Sequence, residues 1–99
     1  MKVIIPFKEE FKERMVSGKK TCTSRTKRYG ITGDKFKIFG MEFELTRVQQ
    51  VELFEIANNQ FEKEGFDSYQ EFINCWNRIH PRKKYNPFQL IWAHFFKRR

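Results

Sequence analysis

Cysteine, proline and glycine are scarce in this chain, at two, three and five residues in 99. The two cysteines, Cys22 and Cys75, allow one bridge at most, so a disulfide framework of the secreted kind is excluded. No Cys-x-x-Cys or paired-histidine spacing offers a zinc site, and no glycine-rich loop offers a phosphate cradle, so neither metal nor cofactor is expected. The longest uninterrupted apolar run is Leu90-Ile91-Trp92-Ala93, far below the roughly 20 residues that a helical bilayer span requires. No membrane partner is expected. No signal peptide is visible either, which sets the expectation of a cytoplasmic protein with reduced thiols.

What the chain does have is aromatic residues and positive charge. Aromatics make up 17% of the sequence, with twelve Phe, enough to build the core of one domain over residues 1–99. A domain of this size buries roughly 60–70% of the surface of its unfolded chain. Twenty Lys and Arg against twelve Asp and Glu leave a net charge of +8. That excess favours an anionic partner, most often nucleic acid.

Acids are missing altogether from Lys19 to Arg28, where five cations, four hydroxyls and one thiol follow one another. Like charges in such a ribbon repel each other unless a counter-charge or an anionic ligand lies close by. The stretch is therefore a candidate binding surface. The plainer alternative is a solvated basic face.

The elements around it follow from periodicity. Val3-Ile4-Ile5 predicts a short buried strand closed by Pro6. Phe7, Phe11 and Met15 recur at helical spacing, and Gly18 ends that helix. Thr21 to Thr26 predicts a strand, with Thr21, Thr23 and Arg25 on one face and Cys22, Ser24 and Thr26 on the other. Tyr29 to Asp34 predicts a loop, and Phe36 to Leu45 a hairpin reversing at Phe39-Gly40-Met41. The acidic outer face of that hairpin, Glu42 and Glu44, is a candidate partner of the basic ribbon. Val48 and Val51 break the alternation, which predicts a bulge or a strand end. Asp67 with Gln70 predicts a capping box for a helix that carries Phe72 and Trp76 and stops before Pro81. Phe88 to Phe96 is apolar on both faces, so a central strand is expected, with Lys97-Arg98-Arg99 as a frayed end. Strands do not alternate regularly with helices, which argues for an α+β protein with a curled sheet and against a doubly wound one.

Several of these residues together resemble an ASCH domain, over nearly the whole chain. They are Phe7 with Phe11, the pattern Gly18-x-Lys20-x-x-Thr23-x-Arg25, Gly33-Asp34 opening a strand, Glu64-Gly65-Phe66 ahead of the helix with Phe72 and Trp76, and the last apolar strand. The resemblance implies the PUA-like fold: a small mixed β-barrel of five to six strands with two to three flanking helices. It also implies a cleft that serves RNA or a modified nucleoside. The chain is similar to small 4-acetylcytidine amidohydrolase-like members, which use a lysine, a threonine and a glutamate. Matching the motif puts those roles on Lys20, Thr23 and Glu64, with Glu62 as the acid if the loop is shifted by two. Arg25 matches the motif arginine, expected to orient an anionic or carbonyl group.

Two function classes stay open. As a hydrolase, the protein would use Lys20 to activate Thr23 or a water, with Glu64 moving or orienting the proton. Lys20 and Thr23 fall on opposite faces of a strict strand, so that scheme requires Lys20 to lie in the turn. As an RNA-binding module, it would use Lys19, Arg25, Lys27, Arg28, Arg82, Lys83 and Lys84 on phosphates and Tyr29 as a stacking platform. Trp76 and Trp92 sit on apolar stripes and are expected in the core, as is His94. A buried thiol is the expected state of both cysteines.

Overall fold

The computed structural model describes residues 1–99. A single turn of 3₁₀ helix (Glu9–Phe11) leads into α1 (Lys12–Val16), followed by β1 (Cys22–Arg25), β2 (Lys35–Ile38), β3 (Met41–Glu52), α2 (Leu53–Asn59), α3 (Tyr69–Ile79) and β4 (Leu90–Arg98). The architecture is α+β. The strands form one antiparallel sheet in the order β1-β4-β3-β2, curled into a half-barrel.

The strand count is four, not five to six. Val3-Ile4-Ile5 does not form a strand: the only pairing is one parallel bridge just before it, Lys2 with Lys35, held by Val3 N–H on the Lys35 carbonyl at 2.8 Å and Lys35 N–H on the Met1 carbonyl at 2.9 Å. Pro6 has no N–H to extend the pairing, and Ile4 points into solvent. Only Ile5 of that run enters the core.

The hairpin turns on two residues, with Ile38 paired to Met41. Phe39 (φ 56°) and Gly40 (φ 76°) are both left-handed, as a type I′ turn requires. The irregularity in β3 lies between Leu45 and Arg47, earlier than the valines indicate, and the strand then continues along β4 to Glu52. Glu42 and Glu44 do not meet the basic ribbon. They bind Arg99 at 3.3 and 2.7 Å, so the C-terminal cations are tied down instead of frayed, and Lys97 and Arg98 belong to β4.

β4 is central, as its two apolar faces require. Phe36, Phe43 and Phe96 meet edge to face and stacked, with centroids 5.3 to 5.4 Å apart. Full burial of each such ring stabilises by about 1.5–3 kcal/mol. The cap of α3 sits one residue later than expected. Ser68, not Asp67, is the N-cap, accepting from Glu71 N–H at 3.1 Å. Beyond it, the buried Phe72 and Trp76 line a recess that residues of β1 also border.

Candidate functional site

Backbone bonds bring the basic ribbon and the distant loop together. Gly18 (φ 81°) turns the chain after α1, and Lys20 N–H donates to the Arg14 carbonyl at 2.8 Å. The Lys63 carbonyl then accepts from both Thr21 N–H (2.7 Å) and Cys22 N–H (2.9 Å). This clamp sets Glu64 beside Lys20, and Gly65 (φ 97°) turns the loop away towards α3. Lys20 therefore precedes the strand, and the alternation of β1 does not apply to it.

Lys20 and Glu64 form a buried ion pair. Their side chains are only 3% and 4% exposed, with Nζ and Oε1 3.1 Å apart. The Lys20 ammonium also donates to the Cys22 carbonyl at 2.9 Å and to the Glu64 carbonyl at 3.0 Å, so all three of its N–H groups are used. The Phe11 ring lies 4.9 Å from it. Burying two such charges costs several kcal/mol each, which pairing and hydrogen bonds must offset. The other carboxylate oxygen, Oε2, accepts from Ser24 Oγ at 2.6 Å.

Thr23 stands apart from this pair. Its Oγ1 accepts from Arg25 Nε at 3.0 Å, and Arg25 Nη2 reaches the Pro6 carbonyl at 2.5 Å. The guanidinium lies between Phe7 (4.8 Å) and Tyr29 (5.5 Å), and burial pulls it below its ordinary pKa. The bond from Arg25 to Thr23 confirms that these two side chains share a face, as the alternation predicts. Ser24 leaves from the other face. Both reach one recess because β1 is an edge strand, and the recess runs along its open edge.

The recess is a cavity of about 400 Å³, within the size range of small-molecule sites. Lys20, Glu64, Ser24, Thr23 and Arg25 line one side, and Phe7, Phe11, Phe66, Phe72 and Trp76 supply apolar walls. Tyr29 closes the rim, carrying Lys27 at 4.9 Å from its ring. His80 stacks on Trp76 with centroids 4.1 Å apart.

The remaining cations lie elsewhere. Lys19 is exposed and paired with Asp67, Arg28 covers the half-buried Trp92 at 5.5 Å, and Arg82, Lys83 and Lys84 occupy an exposed loop after α3. Trp92, expected in the core, is instead half-buried and outside the core cluster, with the Arg28 guanidinium over its ring. Glu62 is exposed, which leaves Glu64 as the acid in the cavity. His94 is fully buried and accepts from Tyr29 N–H at Nε2, 3.0 Å away. The Cys22 thiol is buried, and burial pushes its pKa well above the ordinary value. Burial raises Cys75 as well, and no three His, Cys, Asp or Glu side chains gather as a metal site. No helix is long and apolar enough to cross a membrane.

Ser24 and the aromatic walls escape a reading of the sequence. Ser24 alternates away from Thr23, and its only signal is membership of the hydroxyl-rich ribbon. Trp76 has core-like spacing, and nothing local shows that its stripe borders a recess.

No protein-family model matches the sequence, and no curated protein does. Solved structures do match. The crystal structure of the hypothetical protein PH0355 superposes with a TM-score of 0.73 over 100% of both chains, at 17% identity. ASCH from Zymomonas mobilis gives 0.60 at 16% identity, covering 97% of this chain and 66% of that one. The ASCH domain from Lactobacillus crispatus gives 0.60 at 12% identity, covering 96% and 77%. At these identities the likeness shows the fold. The chain is folded as an ASCH domain.

Proposed function

We propose that this is an ASCH-family protein whose cavity takes a nucleoside, free or as one base splayed from an RNA strand. The observation that carries this reading is the buried Lys20–Glu64–Ser24 cluster at the side of an aromatic-walled cavity of about 400 Å³. A flat base gains from stacking on aromatic walls. A carboxylate has about four lone-pair sites, of which Lys20 and Ser24 occupy two, so Glu64 can accept from an exocyclic amine such as that of cytosine. Arg25 keeps unused N–H groups for a carbonyl or phosphate. Lys27 and Arg28 stand at the rim and beyond it, where a phosphate backbone would pass, with Arg82, Lys83 and Lys84 as further cations.

Titration with cytidine and with a short RNA, followed by tryptophan fluorescence, tests this. Saturable quenching that is lost in Glu64→Ala is the expected result, with the RNA affinity falling steeply as salt is added. Absence of saturable binding to either ligand would refute the reading.

A second reading is supported by the contact between Lys20 and Glu64: hydrolysis of an N-acetyl group from 4-acetylcytidine by Lys20, Thr23 and Glu64, with the role of Lys20 changed, because its N–H groups go to Cys22 and Glu64 and none to Thr23. The fully donated Lys20 ammonium acts in that scheme as an electrostatic anchor, and Glu64 is the group that moves a proton. Chromatography of 4-acetylcytidine incubated with the protein decides it, since cytidine accumulates only if turnover occurs. Full residual activity in Lys20→Ala would remove Lys20 from the mechanism.

A further inference from the structure

We infer that the acyl acceptor in this cavity is Ser24, with Glu64 as its base and Lys20 as the group that fixes Glu64. This rests on the hydrolytic reading above and changes which hydroxyl performs it. The substrate class is an acylated amine or ester whose acyl end fits beside β1.

The argument begins with what each hydroxyl touches. A serine or threonine is a weak nucleophile until a neighbouring base takes its proton, and that base is effective when a third group holds it. Ser24 Oγ lies 2.6 Å from Glu64 Oε2, within the range of a strong O–H···O⁻ bond. Glu64 Oε1 is in turn held by Lys20 Nζ at 3.1 Å, and Lys20 is itself locked onto two carbonyls. Nucleophile, base and orienting group stand in one chain of bonds. All three residues line the cavity.

Thr23 lacks that arrangement. The group on its hydroxyl is Arg25 Nε, a donor with no capacity to accept a proton. Thr23 still lines the cavity, and its own O–H has no protein acceptor, so it serves as a donor to the substrate beside the free N–H groups of Arg25. Cys22 is the other nearby nucleophile, and burial holds it in the thiol form.

The steps balance without any external reactant except water. Ser24 Oγ attacks the carbonyl carbon, its proton passes to Glu64 Oε2, and the carbonyl π pair moves to oxygen. Collapse breaks the bond to nitrogen, and the leaving amine takes the proton from Glu64. Water then attacks the acyl-Ser24 ester and gives a proton to Glu64. Collapse returns that proton to Ser24 Oγ and releases the carboxylic acid.

Two probes test this, 4-acetylcytidine and the activated ester 4-nitrophenyl acetate, with intact-protein and peptide mass spectrometry after acid quench. One acetyl group on the peptide containing Ser24 is expected. It is absent in Ser24→Ala, present in Thr23→Val, and restored as a thioester in Ser24→Cys. Turnover in Ser24→Ala should fall at least about a hundredfold, while its cytidine binding reports that the cavity remains folded. Acetylation at Thr23, or full turnover in Ser24→Ala, would overturn the assignment and leave the hydrolytic reading standing. Wild-type protein that binds cytidine but neither turns over nor becomes acetylated would refute both and leave only the binding role.

Discussion

Lys19 and Lys20 are adjacent, chemically identical, and each paired with an acid from the same distant loop, yet they are opposite kinds of residue. Lys19 reaches Asp67 at 2.8 Å with both side chains in solvent, 44% and 76% exposed. Lys20 reaches Glu64 at 3.1 Å with both side chains almost wholly enclosed. The shorter contact is the weaker one. Water screens an exposed pair and competes for its hydrogen bonds, whereas a buried pair exists only because the chain has already spent several kcal/mol removing each ion from water. A fold does not accept that cost for stability alone, since apolar residues of the same volume would stabilise more. The burial of Lys20 and Glu64 is what the proposed function draws on, whereas the exposed Lys19 and Asp67 contribute surface charge.

The largest effect that tests this contrast is on folding. Glu64→Ala leaves the Lys20 ammonium buried without its counter-charge and should cost about 3–5 kcal/mol in denaturant unfolding. The double variant Lys20→Met with Glu64→Leu should recover most of that loss, because neither ion then has to be buried. A double variant as unstable as the single one would mean that the pair is retained for stability, and the contrast would fail.

Next in size is Gly65, the residue that turns the loop away after Glu64. Its φ of 97° lies where an L side chain is strained. A Cβ there would meet Arg14 Cδ and Lys20 Cβ, each at 3.2 Å. Gly65→Ala should cost about 2 kcal/mol and loosen the Lys20–Glu64 contact, seen as a lower thermal midpoint together with weaker cytidine binding. Gly18→Ala has open space around it and carries the left-handed cost without the crowding, so its midpoint should fall less. Equal losses at both glycines would show that packing against Lys20 contributes nothing.

How much of this was legible beforehand depends on the physical scale of each signal. The central strand β4, the hairpin and α3 were readable because binary patterning is local and the core enforces it. The expected first strand does not form because Val3-Ile4-Ile5 carries β propensity without a partner edge, and pairing is a tertiary property. The bulge lies ahead of the valines that break the pattern, because hydrophobic alternation marks where side chains point and not where a ladder slips. The meeting of Lys20 with Glu64, 44 residues apart, has no local signature, and only the ordered likeness to ASCH domains indicated it. Ser24 was missed for a further reason: alternation assumes a cavity on one face of a strand, and an edge strand exposes both.

A third test uses another enclosed titratable group, His94. His94 accepts from Tyr29 N–H at Nε2, and its Nδ1 lies 3.1 Å from the Trp92 carbonyl, so the neutral ring satisfies both neighbours. Burial lowers its pKa, as does the Arg25 charge, against the opposing pull of the Thr23 and Trp92 carbonyls and of Glu64. The folded state therefore binds the proton more weakly than the unfolded chain does. The stability is complete above the unfolded value of about 6.5 and is lost as pH falls below it. Unfolding free energy measured from about pH 7.5 to 5.5 should fall, and the slope in that window should shrink in His94→Gln. An unchanged slope in the variant would place the titration elsewhere.

The smallest effect belongs to the shorter of the two lysine contacts. Lys19 donates to Asp67 and holds its carboxyl below the ordinary value, which at first sight marks a strong interaction. Asp67, however, stands in solvent, where the Debye length at physiological salt is about 8 Å and shrinks to about 3 Å in 1 M salt. Ordering two mobile side chains cancels most of what remains of the attraction. Lys19→Ala should accordingly unfold at the same denaturant midpoint as the parent, with any difference gone in about 1 M salt, while RNA association at low salt slows because one positive charge has been removed from the approach surface. A midpoint shift approaching that of Glu64→Ala would mean that distance ranks these two ion pairs after all and burial does not.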